Sequence, residues 1–292
     1  MNIMNIVQPQ NHLQLLEDGS AFIDYGPVSM VLGAYHGEQA LTELYSGAFS
    51  EITRILRDIA GDLPLLRHPA SPDMIPLVSS PSRLMVRSAL ECRDSLLTPM
   101  ACVAGVISQL TADYLFAHGA GKVYVNNGGD IALRMAPGNS LCVGLMAGID
   151  DRSPVVKLVL KEGDGIGGIA TSGLGGRSFT LGIARSVTVM ASCAGLADGL
   201  ATHLANSTSI HSPSVKRRKA GDIQPDCDIP DLDVVTEVGV LSAEETALAG
   251  GQFMARAGTL SRYIEPFSAV AFIGDRSFTY HCGHLNFLPF TS

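Results

Sequence analysis

Val125-Asn126-Asn127-Gly128-Gly129-Asp130-Ile131 is the stretch on which the fold turns. It continues the strand chemistry of Lys122-Val123-Tyr124-Val125, then sets two amides, two glycines and a carboxylate where a sheet interior wants apolar side chains. Asn-Gly is the strongest short signal for a hairpin, because both central residues of a type I′ turn need positive φ. Paired glycines equally let a backbone approach a ligand, with adjacent N–H groups facing an anion or a polar ring. The residues alone leave both readings standing.

Working outward, Thr98 and Pro99 supply N-cap and N1 for a helix from about Met100 to His118. Ala101, Ala104, Gly105 and Ser108 at its start are small enough for close packing against a neighbour, and Gly119 and Gly121 stop it. Residues 20–35, broken by Gly26-Pro27, predict paired strands. Apolar residues at helical spacing from Leu41 to Ile59 predict a helix within 38–60, followed by an irregular Pro-rich connection from Pro64 to Pro81. Downstream, residues 140–149 and 154–161 read as a strand pair around an Asp-Asp turn, 242–257 as a helix, and 267–280 as a closing hairpin with Gly274-Asp275 near its turn. Ser186 to Ala205 is the most membrane-like stretch, but Asp198 and His203 interrupt it, so it reads as a buried strand passing into a helix over 192–205. Lys216 to Pro230 is polar and Pro-bearing, an exposed excursion within about 207–230; Lys216-Arg217-Arg218-Lys219 there reads as a solvated loop rather than a polyanion patch. Strands and helices mix without a repeat, so the class is α/β or α+β, one compact two-layer unit over 1–292.

Composition narrows the function. Charged residues are 16% of the 292, against about 25% in typical soluble domains, and hydrophobic residues reach 46%. That combination excludes a disordered chain. Six cysteines without a CxxC pair exclude a disulfide-stapled mini-protein. A net charge of −8 argues against a phosphate-backbone binder, so no nucleic-acid partner is expected. Met1 to Ser20 carries no basic stretch followed by an apolar core, so the expectation is a cytoplasmic protein with reduced thiols and no membrane contact. A homo-oligomer is compatible with this composition.

Two further stretches could carry chemistry. Gly167-Gly168-Ile169-Ala170-Thr171-Ser172-Gly173-Leu174-Gly175-Gly176-Arg177-Ser178 combines five glycines with two adjacent hydroxyls and an arginine, a donor-rich loop suited to phosphate contact. It lacks the Lys-Ser/Thr ending of a P-loop and the strand–GxGxxG–helix context of a dinucleotide fold. In Ala197-Asp198-Gly199-Leu200-Ala201-Thr202-His203, Asp198 and Thr202 stand four apart and share a helix face. A carboxylate and a hydroxyl there offer hard oxygen ligands for Mg²⁺ or Ca²⁺. A carboxylate capping a neighbouring helix explains the same Asp198 equally well. His203 points elsewhere and reads as a packing or surface histidine. His281-Cys282-Gly283-His284 lacks a second ligand pair and reads as incidental.

These three stretches, in order and separation, resemble the ApbE-like superfamily, which includes the FAD:protein FMN transferases. The family's Gly-Gly-Asp strand end is matched by Asn127-Gly128-Gly129-Asp130, and its Ala-Thr-Ser-Gly loop by Ala170-Thr171-Ser172-Gly173. Its later strand and helix are matched by Ser186-Val187-Thr188-Val189 and Ala197-Asp198-Gly199-Leu200-Ala201-Thr202. Pro99-Met100-Ala101-Cys102-Val103-Ala104-Gly105 and the Gly26-Pro27-Val28 step resemble an uncharacterised branch of that superfamily. The resemblance implies a two-layer fold with mixed, largely antiparallel sheets and packed helices. It implies a metal at Ala101 (through its carbonyl), Asp198 and Thr202, and a nucleotide, FAD or FMN, faced by Asn127, Gly128, Gly129, Asp130, Thr171, Ser172, Gly173 and Arg177. Asp198, Thr171 and Ser172 would then serve as catalytic groups, with metal and dipoles stabilising charge on a pyrophosphate as FMN passes to a protein threonine.

Two departures shape the functional expectation. Ala104 stands where the transferases carry a lysine, and Ser178 to Arg185 replaces their His-Ile-Asp-Pro-x-Thr-Gly segment. One expectation is therefore a metal-dependent, flavin-nucleotide protein related to the FMN transferases. The alternative is a small-molecule hydrolase or lyase reusing the same cleft without flavin.

Overall fold

The computed structural model describes residues 12–148, 154, 156–176, 178–264, 266–282 and 288–289. Its strands are β1 (Leu13–Leu15), β2 (Ala21–Tyr25), β3 (Val28–His36), β4 (Gln39–Ala40), β5 (Lys122–Asn127), β6 (Asp130–Met135), β7 (Ser140–Leu145), β8 (Val156–Lys161), β9 (Gly168–Ser172), β10 (Ser186–Ala191), β11 (Val215–Lys219), β12 (Asp233–Val238), β13 (Phe267–Ile273), β14 (Arg276–Cys282) and β15 (Leu288–Pro289). The main sheet runs β1-β2-β3-β5-β6-β9-β10-β13-β14, with β4 on β3; β15-β8-β7 form a small second sheet and β11-β12 a ribbon. Every pairing among them is antiparallel. The result is an α+β arrangement of antiparallel sheets and packed helices.

Alternation along the central strands sorts their side chains to two faces. Val123, Val125, Ala132, Ala170, Val187 and Val189 enter the larger core, under the helices. Leu133, Ile169, Met190 and Val270 point the other way, where Leu145, Leu158 and Leu160 of the small sheet cover them. A strand covered on both faces has no polar side to show, and β10 is buried at all six positions. That is why Ser186 to Ala205 resembles a membrane segment in composition.

The helices are α1 (Tyr45–Leu66), α2 (Ser80–Glu91), α3 (Val103–Ala117), α4 (Ala194–Asn206), α5 (Ala220–Ile223) and α6 (Ala243–Leu260). The expected helix within 38–60 begins later and runs further, with Pro64 in its last turns. The stretch expected to be irregular contains α2. Pro72 and Pro81 open a 3-10 turn and α2, at first-turn positions where a missing N–H costs nothing. Thr98 and Pro99 begin a 3-10 turn, Pro99–Cys102, before α3; the Thr98 hydroxyl donates to Asp228 rather than capping the helix. The basic run expected as a solvated loop is β11, where Arg217 donates to the Leu181 carbonyl at 2.8 Å and to Ser209 Oγ at 2.9 Å. The Asp-Asp turn at 150–151 lies outside the described residues.

Among the described residues, one helical stretch, Pro99–Ala117, is long and apolar enough to cross a membrane. It packs between β5, β6, α1, α2 and α4, so its apolar composition serves the core. The small residues at its start do what small residues allow. A Cβ added at Gly105 would stand 2.3 Å from the Ala194 carbonyl oxygen and 2.8 Å from Asp198 Cβ, so α3 and α4 approach through a glycine.

Candidate functional site

Helices α1, α3 and α4, the β2–β3 turn, the β5–β6 turn and the loop after β9 enclose a cavity of about 880 Å³. Of the residues singled out in the sequence, Asn127, Gly128, Asp130, Thr171, Ser172, Gly173, Asp198 and Thr202 line it. Gly129 lines a neighbouring cavity of about 300 Å³ on the other face of the sheet, which also reaches Thr171 and Ser172. Ala101 lines a third, of about 350 Å³, which shares Thr202 with the first. Arg177 lies outside the described residues.

The two readings of Asn127 to Asp130 turn out to be compatible. Asn127 pairs with Asp130 across a two-residue turn, and Gly128 and Gly129 have φ of 69° and 108°, as a type I′ hairpin requires. Gly129 N–H donates to Asn126 Oδ1 at 2.8 Å, which fixes the turn. Ser108 Oγ of α3 donates to the Asp130 carbonyl at 2.8 Å, tying the hairpin to the helix layer. The turn thereby holds Asn127 on the cavity wall, 4% exposed, with its Oδ1 unpartnered. A buried acceptor without a donor costs about 1–3 kcal/mol. A ligand N–H or O–H would satisfy it.

Asp198 serves the structural role and still faces the cavity. Its Oδ2 accepts from Gly105 N–H at 2.9 Å, so a carboxyl on α4 caps the first turn of α3, whose own N-cap, Cys102, makes no side-chain bond. Burial pushes this carboxyl well above the usual carboxylate range and nearby Asp130 adds to that, while N–H groups of Gly105 and Ala104 pull it back. Two like charges in one half-enclosed space favour a cation between them. The available donors are carboxylates, the Thr202 hydroxyl and backbone carbonyls, all hard oxygens. Among the described residues no three His, Cys, Asp or Glu side chains converge, which disfavours zinc. One or two carboxylates completed by water and a ligand phosphate is the ordinary Mg²⁺ arrangement, and the donor set fits it.

In the glycine-rich loop, Thr171 Oγ1 shares a hydrogen bond of 2.8 Å with Thr188 Oγ1 across the β9–β10 pair. Ser172 follows on the opposite, helix-side face of the strand. Gly173, at φ 138°, would place a Cβ 2.7 Å from the Arg185 carbonyl oxygen, so the loop folds back tightly against β10. His203 is buried, with Nδ1 2.6 Å from Asp94 Oδ2, a packing histidine held by a carboxylate. Gly283 and His284 lie outside the described residues.

The sequence gave no sign of the roof. Tyr25 and Pro27 from the β2–β3 turn and Thr53, Leu56 and Arg57 from α1 close the cavity from above. Arg54 and Arg57 both fall on the polar side of the apolar period of α1, and spacing alone cannot tell a cavity-facing arginine from a solvated one.

The chain resembles several known proteins. A UPF0280 protein of Methanothermobacter thermautotrophicus is 43% identical over 135 residues, 46% of this chain and 52% of the relative. A UPF0280 protein of Methanosarcina acetivorans is 37% identical over 121 residues, 40% of this chain and 46% of the relative. The chain thus spans about half the length of the curated relatives it matches. Among solved structures, the flavin transferase ApbE from Vibrio cholerae superposes with a TM-score of 0.47 at 14% identity, covering 90% of this chain and 96% of that one. The flavinyl transferase ApbE of Pseudomonas stutzeri, in its apo form, gives 0.48 at 16%, covering 88% and 92%. The model of the family described as AbpE bacteria matches residues 13–276, from the first strand of the main sheet to the opening of its last, and the chain belongs to that family.

Proposed function

We propose that the cavity binds a flavin nucleotide, FAD or FMN, together with a divalent cation, Mg²⁺ or Ca²⁺, in a cytoplasmic protein of the FMN-transferase type built on one ApbE-like domain. The observation that carries this reading is convergence. Three segments separated by some 25 to 40 residues each, around Asn127, Thr171 and Asp198, meet on one cavity of about 880 Å³, within the ~300–1,000 Å³ range of small-molecule sites. The ApbE-like pattern of those segments, together with the family membership, supplies the ligand class.

In this reading each group has a physical task. Asn127 Oδ1 accepts a hydrogen bond from the ligand's ring or ribityl donors. Gly128 and Gly173 carry no side chain, so the ligand can lie against the main chain. The hydroxyls of Thr171 and Ser172 donate to phosphate oxygens. Asp198 and Thr202, with Asp130 on the same wall, hold the cation, and a bound Mg²⁺ supplies Lewis-acid stabilisation of charge on a pyrophosphate. Thr202 also opens onto the adjoining cavity of about 350 Å³, which gives a second substrate a place beside the first.

The test is a fluorescence titration of FMN and FAD with purified protein, with and without Mg²⁺. Saturable quenching that needs the cation and is lost in Asp198→Asn is expected. Unchanged flavin fluorescence at saturating protein would overturn the reading and favour the flavin-free hydrolase or lyase.

A further inference from the structure

Helix α1 turns Thr53, Leu56, Arg57, Ala60 and Leu63 toward the cavity, the spacing of a single helix face. Its polar members differ in what they have left to offer. Thr53 Oγ1 donates to the Ser50 carbonyl at 2.7 Å and is satisfied within the helix. Arg54, one residue on, is committed to Glu51 at 2.6 Å and Asp58 at 2.7 Å. Arg57 stands exposed at the mouth and forms no ion pair with a described residue. Among the described residues it is the one cation lining a cavity that also carries Asp130 and Asp198.

A guanidinium presents five donors in a planar fork that matches phosphate or carboxylate oxygens. The cavity also holds a separate demand on its ligand, the buried and unpartnered Asn127 Oδ1. A molecule that meets both carries a hydrogen-bond donor at one end and an anion at the other. We propose that Arg57 binds the anionic group of the cavity's ligand, a phosphate, and sets the preference for phosphorylated over unphosphorylated molecules. This rests on the cavity being a ligand site, as proposed above, and not on that ligand being a flavin.

The experiment measures affinities of wild type, Arg57→Ala and Arg57→Lys for FMN, riboflavin, ADP and inorganic pyrophosphate, each with Mg²⁺. Wild type is expected to favour FMN over riboflavin. Arg57→Ala should lose about tenfold in affinity for the phosphate-bearing probes, the scale of one charge-assisted contact, and leave riboflavin unchanged. Arg57→Lys should recover part of the loss, and the wild-type affinity should fall with salt more steeply than that of Arg57→Ala. An Arg57→Ala protein that holds every phosphate probe as tightly as wild type overturns the proposal, as does a wild type that binds none of them. Arg57-dependent binding of ADP or pyrophosphate with neither flavin bound would uphold Arg57 and refute the flavin reading.

Discussion

Gly105→Ala probes the joint on which the candidate site is built. The added Cβ would stand 2.3 Å from the Ala194 carbonyl oxygen, 2.7 Å from its carbon and 2.8 Å from Asp198 Cβ. These distances fall roughly 0.7–1.2 Å inside comfortable contact of non-bonded heavy atoms. Two of the three atoms are backbone and the third is one bond from it, so no flexible side chain can swing away. Helices α3 and α4 must part, and the bond from Gly105 N–H to Asp198 Oδ2, now 2.9 Å, stretches with them. Overpacking costs about 1–3 kcal/mol, and the weakened hydrogen bond costs about 1–2 kcal/mol. Alanine returns about 1 kcal/mol over glycine in a helix interior. The net loss is about 1–4 kcal/mol, a fall of about 3–12 °C in the unfolding midpoint of a chain this size. Gly61→Ala in α1 and Gly251→Ala in α6 are the controls, because a Cβ at either meets nothing within 4 Å. Each control should hold its midpoint or gain up to about 1 kcal/mol. Urea and thermal unfolding of the three variants decide it, and a Gly105→Ala protein as stable as Gly61→Ala would refute the close α3–α4 approach.

Two other perturbations test the surroundings. Asp198 has its carboxyl raised above the ordinary value of 3.8 by burial and by Asp130, so its contribution to stability is full below that value and is lost as pH rises through the folded-state value. In metal-free buffer, wild type should therefore lose stability relative to Asp198→Asn between acid and neutral pH, since Asn still accepts from Gly105; parallel pH profiles would contradict this. Asp94→Ala leaves buried His203, whose Nε2 already has no partner, without its bond at Nδ1 and should cost about 1–3 kcal/mol; an unchanged denaturation midpoint would show that the pair contributes nothing.

What the sequence could and could not reveal follows from the range of each interaction. Turn chemistry is local, and Asn127-Gly128-Gly129-Asp130 and Gly274-Asp275 turn where their residues require positive φ or tight reversal. The strand-to-helix passage from β10 to α4 was equally legible, because Asp198 and His203 break the apolar run. Helix α2 was hidden because its opening proline, Pro81, reads as a breaker until its place at the helix start is known. Asp198 was legible as a buried carboxylate needing a partner, but the partner, Gly105 N–H, lies 93 residues away. Arg57 and Tyr25 enter the site only because antiparallel pairing and helix packing bring the first sixty residues over the β5–β6 turn. No local pattern marks such a meeting.

The account stands most directly on where a ligand sits. A crystal structure of the protein soaked with FAD and Mg²⁺ should show flavin density between Asn127, Ser172 and α1, with a cation about 2.0–2.1 Å from the Asp198 carboxylate oxygens. Flavin bound elsewhere on the surface, or an empty cavity at saturating ligand, would contradict it.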